Sequence, residues 1–147
     1  MEKFENIILI MIGQHRILQE DLGLVAMEIT TNKDPRGAEI VKYLDKFKKD
    51  LMEHLHLEND VFYVELIRRI KAKNEDLDSV DIIEGFITEM EKIGDVVVAF
   101  LEKYKTAENI DNAMEDFKTE FFPIVKTLNT RIQFEEGHVY TYWDLYE

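Results

Sequence analysis

Residues 54–66 read HLHLENDVFYVEL and combine an apolar helical stripe with two polar residues that interrupt it. His54 and Glu58 lie four residues apart, so they share one face of a helix. Burying such groups without a partner costs several kcal/mol, so they should meet each other or an ion. The segment predicts an amphipathic helix with a polar site on its buried face.

The same pattern returns in residues 131–143, which read RIQFEEGHVYTYW. At an offset of 77 residues, Arg131 stands where the first segment has His54, and Glu135 stands where it has Glu58. This echo predicts two related helical hairpins that face each other, so that their polar residues converge.

Apolar residues recur at three- and four-residue spacing along almost the whole chain, which is typical of α-helices. Asp78 or Ser79 is the expected N-cap of the third helix. The short breaks between helices predict an all-α fold, an antiparallel up-down-up-down four-helix bundle that forms one domain over residues 1–147. The pattern gives a first helix over residues 2–31 and apolar stripes over residues 40–70, 82–104 and 117–143, with a break at 106–112.

Composition excludes several classes of function. The chain of 147 residues has 18 Lys and Arg against 31 Asp and Glu, a net charge of −13 that disfavours nucleic acids and anionic membrane surfaces. It has no cysteine, which excludes disulfides, thiolate catalysis and iron–sulfur clusters. There is no phosphate-binding loop or nucleophile motif, so we expect no enzymatic activity. Without a targeting or membrane-spanning segment, a cytoplasmic location is expected.

These segments resemble the hemerythrin-like family, the bundles known as HHE cation-binding domains. The segment that begins at His15 is similar to the family's first-helix motif, and the pair His54 and Glu58 is similar to its second-helix motif. The segment with Arg131 and Glu135 resembles the fourth-helix motif, with Arg in the place of the family's His.

The resemblance implies a site in the middle of the bundle, where the family holds two iron ions bridged by carboxylates. Met90 stands where the family's third helix has His, and Arg131 cannot bind a metal because it stays protonated. We therefore expect a site with fewer ligands than is usual in the family, which holds iron, zinc or manganese as one ion or as an asymmetric pair. The matching positions carry four expected ligands: His15, His54, Glu58 and Glu135.

Three neighbouring residues are candidates for additional or supporting roles. Glu89 precedes Met90 and could help to hold a second ion, and Glu136 directly follows Glu135. His138 lies one turn from Glu135 and could replace the missing imidazole. A solvent-exposed position is the alternative for both Glu136 and His138.

Arg131 supports a second hypothesis that uses the same residues. Its guanidinium pairs well with carboxylates and could stand in for a cation beside Glu58 and Glu135. The sequence thus leaves two functions open: non-catalytic binding of a metal cation, for sensing or storage, and a metal-free bundle that acts as a regulatory or interaction module. The aromatic residues at the C-terminus either cap the end of the bundle or form a partly exposed patch that docks a second copy or a protein partner; they are Tyr140, Tyr142, Trp143 and Tyr146.

Overall fold

The computed structural model describes residues 6–73 and 77–146, and the regular secondary structure in these ranges is helical throughout. The predicted all-α class is therefore confirmed. None of the helices in these ranges is both long and apolar enough to cross a membrane. In chain order the elements are α1 (Ile7–Thr31), α2 (Gly37–Leu57), a π-helical turn π1 (Glu58–Phe62), α3 (Tyr63–Lys73), α4 (Leu77–Lys103), α5 (Ala107–Asp111), α6 (Met114–Phe134), a second π-helical turn π2 (Glu135–Val139) and α7 (Thr141–Leu145).

Two helix boundaries differ from the sequence prediction. The predicted N-cap at Asp78 or Ser79 is wrong, because α4 begins at Leu77 and both residues lie inside its first turn. There the Asp78 carboxylate interacts favourably with the positive end of the helix dipole. Residues 2–5 of the predicted first helix lie outside the described residues, and α1 begins at Ile7.

The predicted break at residues 106–112 contains the short helix α5. Thr106 caps it, because its Oγ1 accepts a hydrogen bond of 3.1 Å from the backbone N–H of Asn109. The backbone N–H of Gly37, at the start of α2, donates to Asp111 Oδ1 at 2.8 Å. A Cβ at Gly37 would lie 2.4 Å from the carbonyl oxygen of Ala107, so the close approach of α2 to α5 requires glycine.

The apolar core forms two clusters with polar residues between them. Along α1, Met11 belongs to one cluster and Leu18 to the other, and the buried His15 lies between them. Along the next helical segment, Leu51 and Phe62 belong to different clusters in the same way. This arrangement places the polar site in the middle of the fold, with an apolar cluster on either side.

Of the two alternatives for the aromatic C-terminus, the capped end of the core is confirmed and the partly exposed patch is wrong. Tyr140, Trp143 and Tyr146 are buried, and of the four aromatic residues only Tyr142 is partly exposed. The Trp143 ring stacks on Phe62, with their centroids 5.2 Å apart. These aromatic side chains therefore close one end of the core rather than offer a docking surface.

Candidate metal centre

Four buried side chains meet between the two apolar clusters. His15 comes from α1 and His54 from α2, while Glu58 and Glu135 come from the two π-helical turns. None of the four is more than 4% exposed. One potential ligand atom from each lies within 4.8 Å of all the others. The structure thus brings together the four ligands expected from the sequence.

The contacts between these atoms are close. The Nε2 atoms of His15 and His54 are 3.1 Å apart. His15 Nε2 lies 3.0 Å from Glu135 Oε1, and His54 Nε2 lies 2.9 Å from Glu58 Oε2. Ligand atoms bound to one ion at about 2.1 Å are separated by about 3 Å in octahedral geometry. The spacing therefore suits a single ion.

The outer nitrogen of His15 is held by an acidic residue. Its Nδ1 lies 2.7 Å from Glu136 Oε2, and Glu136 also accepts a hydrogen bond from the guanidinium of Arg16. A carboxylate at Nδ1 fixes the ring proton there, which leaves the lone pair of Nε2 directed into the site. Histidine ligands of metals commonly have such a carboxylate partner.

His54 has an equivalent partner in Gln14. The amide Oε1 of Gln14 lies 2.7 Å from His54 Nδ1 and can only accept a hydrogen bond, so it too places the ring proton on Nδ1. The lone pairs of both imidazoles therefore face the same space. Glu58 Oε2 also faces it, as a buried oxygen with no hydrogen-bond partner among the described residues. Several electron-pair donors thus converge, and no cationic side chain of residues 6–73 and 77–146 lies between them.

The electrostatics of the site follow from this burial. Burial lowers the pKa of His54 to about 4, so its imidazole is neutral at physiological pH. Burial and the neighbouring charge of Glu135 raise the pKa of Glu58 well above its usual range. Burial also opposes ionisation of Glu135, but its polar contacts with His15, Glu58 and Tyr63 outweigh it and hold that pKa at about 2. A bound cation would stabilise the ionised form of Glu58.

Two tyrosines support Glu135 from both sides. Tyr63 donates a hydrogen bond of 2.5 Å to Oε2 of Glu135, and Tyr140 donates one of 2.9 Å to Oε1. Burial raises the pKa of each phenol, and the nearby carboxylates raise it further, so both keep their protons in the metal-free chain. The sequence indicated Tyr63 and Tyr140 only as equivalent positions in the repeat.

The π-helical turns were not predicted, although the sequence carries a signal for them. Residues four apart in an α-helix drift around its axis by about 40° per step, which amounts to about 160° over four steps. A buried run with this spacing therefore needs a local widening of the helix, which a π-turn provides. The run in this chain is His54, Glu58, Phe62, Leu66 and Ile70.

Arg131 does not form the predicted cluster with Glu58 and Glu135. Its guanidinium pairs with Glu89 at 3.4 Å and lies over the Phe86 ring, 4.5 Å from its centroid. The side chain is long enough to reach either the buried carboxylates or the surface, and it contacts the Phe86 ring and the partly solvated Glu89 carboxylate. Glu89 is itself largely exposed and lies outside the group of four converging ligands.

The other two candidates have different positions. Glu136 is a partner of His15 and Arg16, so its role is a supporting one. His138 is exposed, and its ring packs on Phe134 with centroids 4.9 Å apart, so it does not replace the missing imidazole. Gln14 and Arg16 were missed, because an isolated Gln or Arg on a helix carries no sequence signal for such a role.

A cavity of about 30 Å³ borders the four ligands. Met90 and Arg131 line it together with Glu58 and Glu135, on the side where the resemblance places the second ion. Its walls are mostly apolar, and its volume has room for one or two water molecules. The site therefore keeps a small open space on one side.

Comparison with known proteins agrees with this geometry. The family model described as the hemerythrin HHE cation binding domain matches residues 6–143, nearly the whole chain. No curated protein and no solved structure matches the chain. The match includes all four converging ligands and both π-helical turns. The chain belongs to the hemerythrin HHE cation-binding domain family.

Proposed function

We propose that this protein binds one transition-metal cation through His15, His54, Glu58 and Glu135, without catalysis, in a sensing or storage role. One observation carries the proposal. The Nε2 atoms of the two imidazoles face each other across 3.1 Å, with a carboxylate oxygen within 3.0 Å of each nitrogen. Buried acceptor atoms in such close contact repel one another unless protons or a cation lie between them.

The stoichiometry of one ion follows from the residues on the opposite side of the cavity. A second ion would need ligands from the positions of Met90 and Arg131, and neither side chain supplies a suitable one. Glu89 lies too far out to compensate, since it pairs with Arg131 at the surface. We therefore expect a single ion.

The metal-free alternative depends on Arg131 as a substitute cation. Its guanidinium is engaged by Glu89 and by the faces of Phe86 and Phe134. This arrangement leaves the carboxylates of Glu58 and Glu135 without that counter-charge, which favours the metal-binding function over the interaction module.

The donor set decides which metals to test first. Two imidazole nitrogens and two carboxylates, with no sulfur, suit iron, zinc and manganese. Iron is the first candidate because the family resemblance implies it, and zinc and manganese are the alternatives.

The antiparallel four-helix bundle is part of this proposal and has support from contacts. His15 of α1 meets His54 of α2, and further along α1 Asp21 meets the earlier residue Lys46 at 2.9 Å. Such pairs are typical of helices that run in opposite directions. Ring contacts between α4 and α6 follow the same rule: Phe86 with Phe134, and Phe100 with Phe117.

Elemental analysis of protein purified without a metal-binding tag tests the function directly. We expect about one equivalent of iron, zinc or manganese, and His54→Ala should lose most of it. His56→Ala is the matched control, because His56 is on the same helix, exposed and paired with Asp60. Negligible metal after reconstitution, with no change in stability on chelation, would overturn the proposal.

A further inference from the structure

We propose that Tyr140 supplies a fifth ligand to the cation, through its phenolic oxygen, and gives the site a preference for trivalent ions. The inference rests on the proposed function and adds a ligand that the pair of histidines and the pair of glutamates do not include. It is carried by the position of one oxygen atom relative to two of the ligand atoms.

The Tyr140 oxygen completes a triangle with His15 and Glu135. It lies 2.9 Å from Glu135 Oε1 and 3.4 Å from His15 Nε2, and those two atoms are 3.0 Å apart. A triangle with edges of about 3 Å is one face of an octahedron around an ion with ligands at about 2.1 Å. An ion bound by His15 and Glu135 therefore has the Tyr140 oxygen within reach.

The backbone explains why Tyr140 reaches this position. It is the fifth residue after Glu135, and its N–H donates to the Glu135 carbonyl at 2.9 Å across π2. In an α-helix, residues five apart point about 140° away from each other, whereas a π-turn stacks them. The ring also lies parallel to that of His15, with an interplanar angle of 5° and centroids 5.8 Å apart. Both features aim the phenol at the ligand atoms.

Tyr63 provides a comparison within the same site. It follows Glu58 by five residues across π1, yet its hydroxyl donates to the far oxygen of Glu135, Oε2. Its hydrogen bond orients Glu135 from the outer side. Tyr63 is therefore a positioning residue, and it serves as the matched control for Tyr140.

Charge explains the preference for a trivalent ion. The carboxylates of Glu58 and Glu135 together neutralise a divalent ion, and a phenolate would add the third negative charge that a trivalent ion needs. When the phenolic oxygen binds, its proton leaves to solvent, as protons do from other metal ligands. A neutral assembly is the one that a buried site tolerates best.

Absorption spectroscopy with ferric iron added as a chelate tests the proposal. Phenolate bound to ferric iron absorbs visible light, so the wild-type complex should be coloured. Tyr140→Phe should lose the band and bind ferric or gallium ions about tenfold or more weakly, with a smaller loss of zinc affinity. Tyr63→Phe should keep the band.

The outcomes separate this inference from the proposed function. A colourless wild-type ferric complex, or a band that survives in Tyr140→Phe, overturns the role of Tyr140 and leaves metal binding intact. Failure of the wild type to bind any of the metals overturns both. Helical circular dichroism shows whether Tyr140→Phe is folded. If it is not, resonance Raman spectra of the wild-type ferric complex decide, through the presence or absence of tyrosinate vibrations.

Discussion

Glu58 and Glu135 each occupy the first position of a five-residue π-helical turn, and they lie 77 residues apart in the chain. That separation equals the offset of the sequence repeat, so the two repeated segments also share the same backbone geometry. π-Turns within α-helices often occur at functional sites. Here each of them carries a buried carboxylate to the same point.

Glu58→Gln should change stability and metal affinity in opposite directions. Without metal, the Glu58 carboxyl lies against Glu135 and His54 with an unsatisfied oxygen, and a neutral amide can donate a hydrogen bond there. We expect the metal-free variant to gain on the order of 1 kcal/mol, or about 3 °C in Tm. Its metal affinity should fall tenfold or more.

Thermal unfolding with and without chelator, together with metal titration, measures both effects of Glu58→Gln. Glu53→Gln is the control, because Glu53 is an exposed acid on α2. A metal-free Glu58→Gln variant less stable than the wild type would show that the carboxyl is satisfied in the absence of a cation.

Glu136→Leu should weaken metal binding although Glu136 does not meet the other ligands. Its carboxylate holds the Nδ1 proton of His15, so its loss frees the ring to change orientation and tautomer. Removing such partners commonly costs 10- to 100-fold in metal affinity. Competition with a chelator of known affinity measures the change. Glu115→Leu, on an exposed acid, should have no effect, and equal affinities in both variants would contradict the supporting role.

A double variant, Met90→His with Arg131→His, should raise the bound metal from about one to about two equivalents. The two new imidazoles would enter the cavity that Glu58 and Glu135 already line. Metal analysis after reconstitution measures the stoichiometry, and Met90→Leu should stay at one equivalent. A folded double variant that still binds one ion would place the limit elsewhere than in these two side chains.

Glu65→Gln should destabilise the protein in a pH-dependent way. Hydrogen bonds from Arg68 and Arg69 hold the pKa of Glu65 at about 2, against a usual value of 4.5. Arg69 also lies 4.0 Å over the Trp143 ring, so the group links α3 to the C-terminal segment. Because the folded-state pKa is depressed, the stabilisation is present above about pH 4.5 and is lost as the pH falls towards 2.

Urea unfolding at several pH values tests the role of Glu65. The variant should lose about 1 kcal/mol near pH 6, a modest figure because Arg68 is largely exposed. The difference from the wild type should shrink by pH 3. A difference that is the same at both pH values would assign the effect to packing instead of charge.

The sequence predicted the parts of this fold that depend on repeated local patterns. Apolar periodicity predicted the helical class, and the two polar interruptions at His54 and Glu58 predicted half of the candidate site. The repeat then identified Glu135, and the family resemblance identified His15. These inferences need only the spacing and the types of residues, and both can be read from the sequence.

Other features depend on three-dimensional choices that spacing does not encode. Arg131 has a long side chain that reaches several partners, and the aromatic faces of Phe86 and Phe134 decide where it goes. Gln14 contacts His54 Nδ1 from 40 residues away in the sequence, and a single Gln on α1 gives no sign of such a contact. The composition of the aromatic C-terminus fits both an exposed surface patch and a buried part of the core, and only the three-dimensional packing distinguishes the two.

The π-turns also make the number of residues in these helices critical. Each π-turn takes up one extra residue, so removing an exposed residue from a turn, such as Asn59 or Gly137, would restore α-helical hydrogen bonding and leave the residues after it facing the same way. Removing an exposed residue outside the turns, such as Glu53 on α2, would instead rotate everything after it by about 100° relative to the residues before it. A deletion on the surface of a regular helix would therefore do as much harm as the loss of a buried ligand, whereas the same deletion inside a π-turn would leave the core in place.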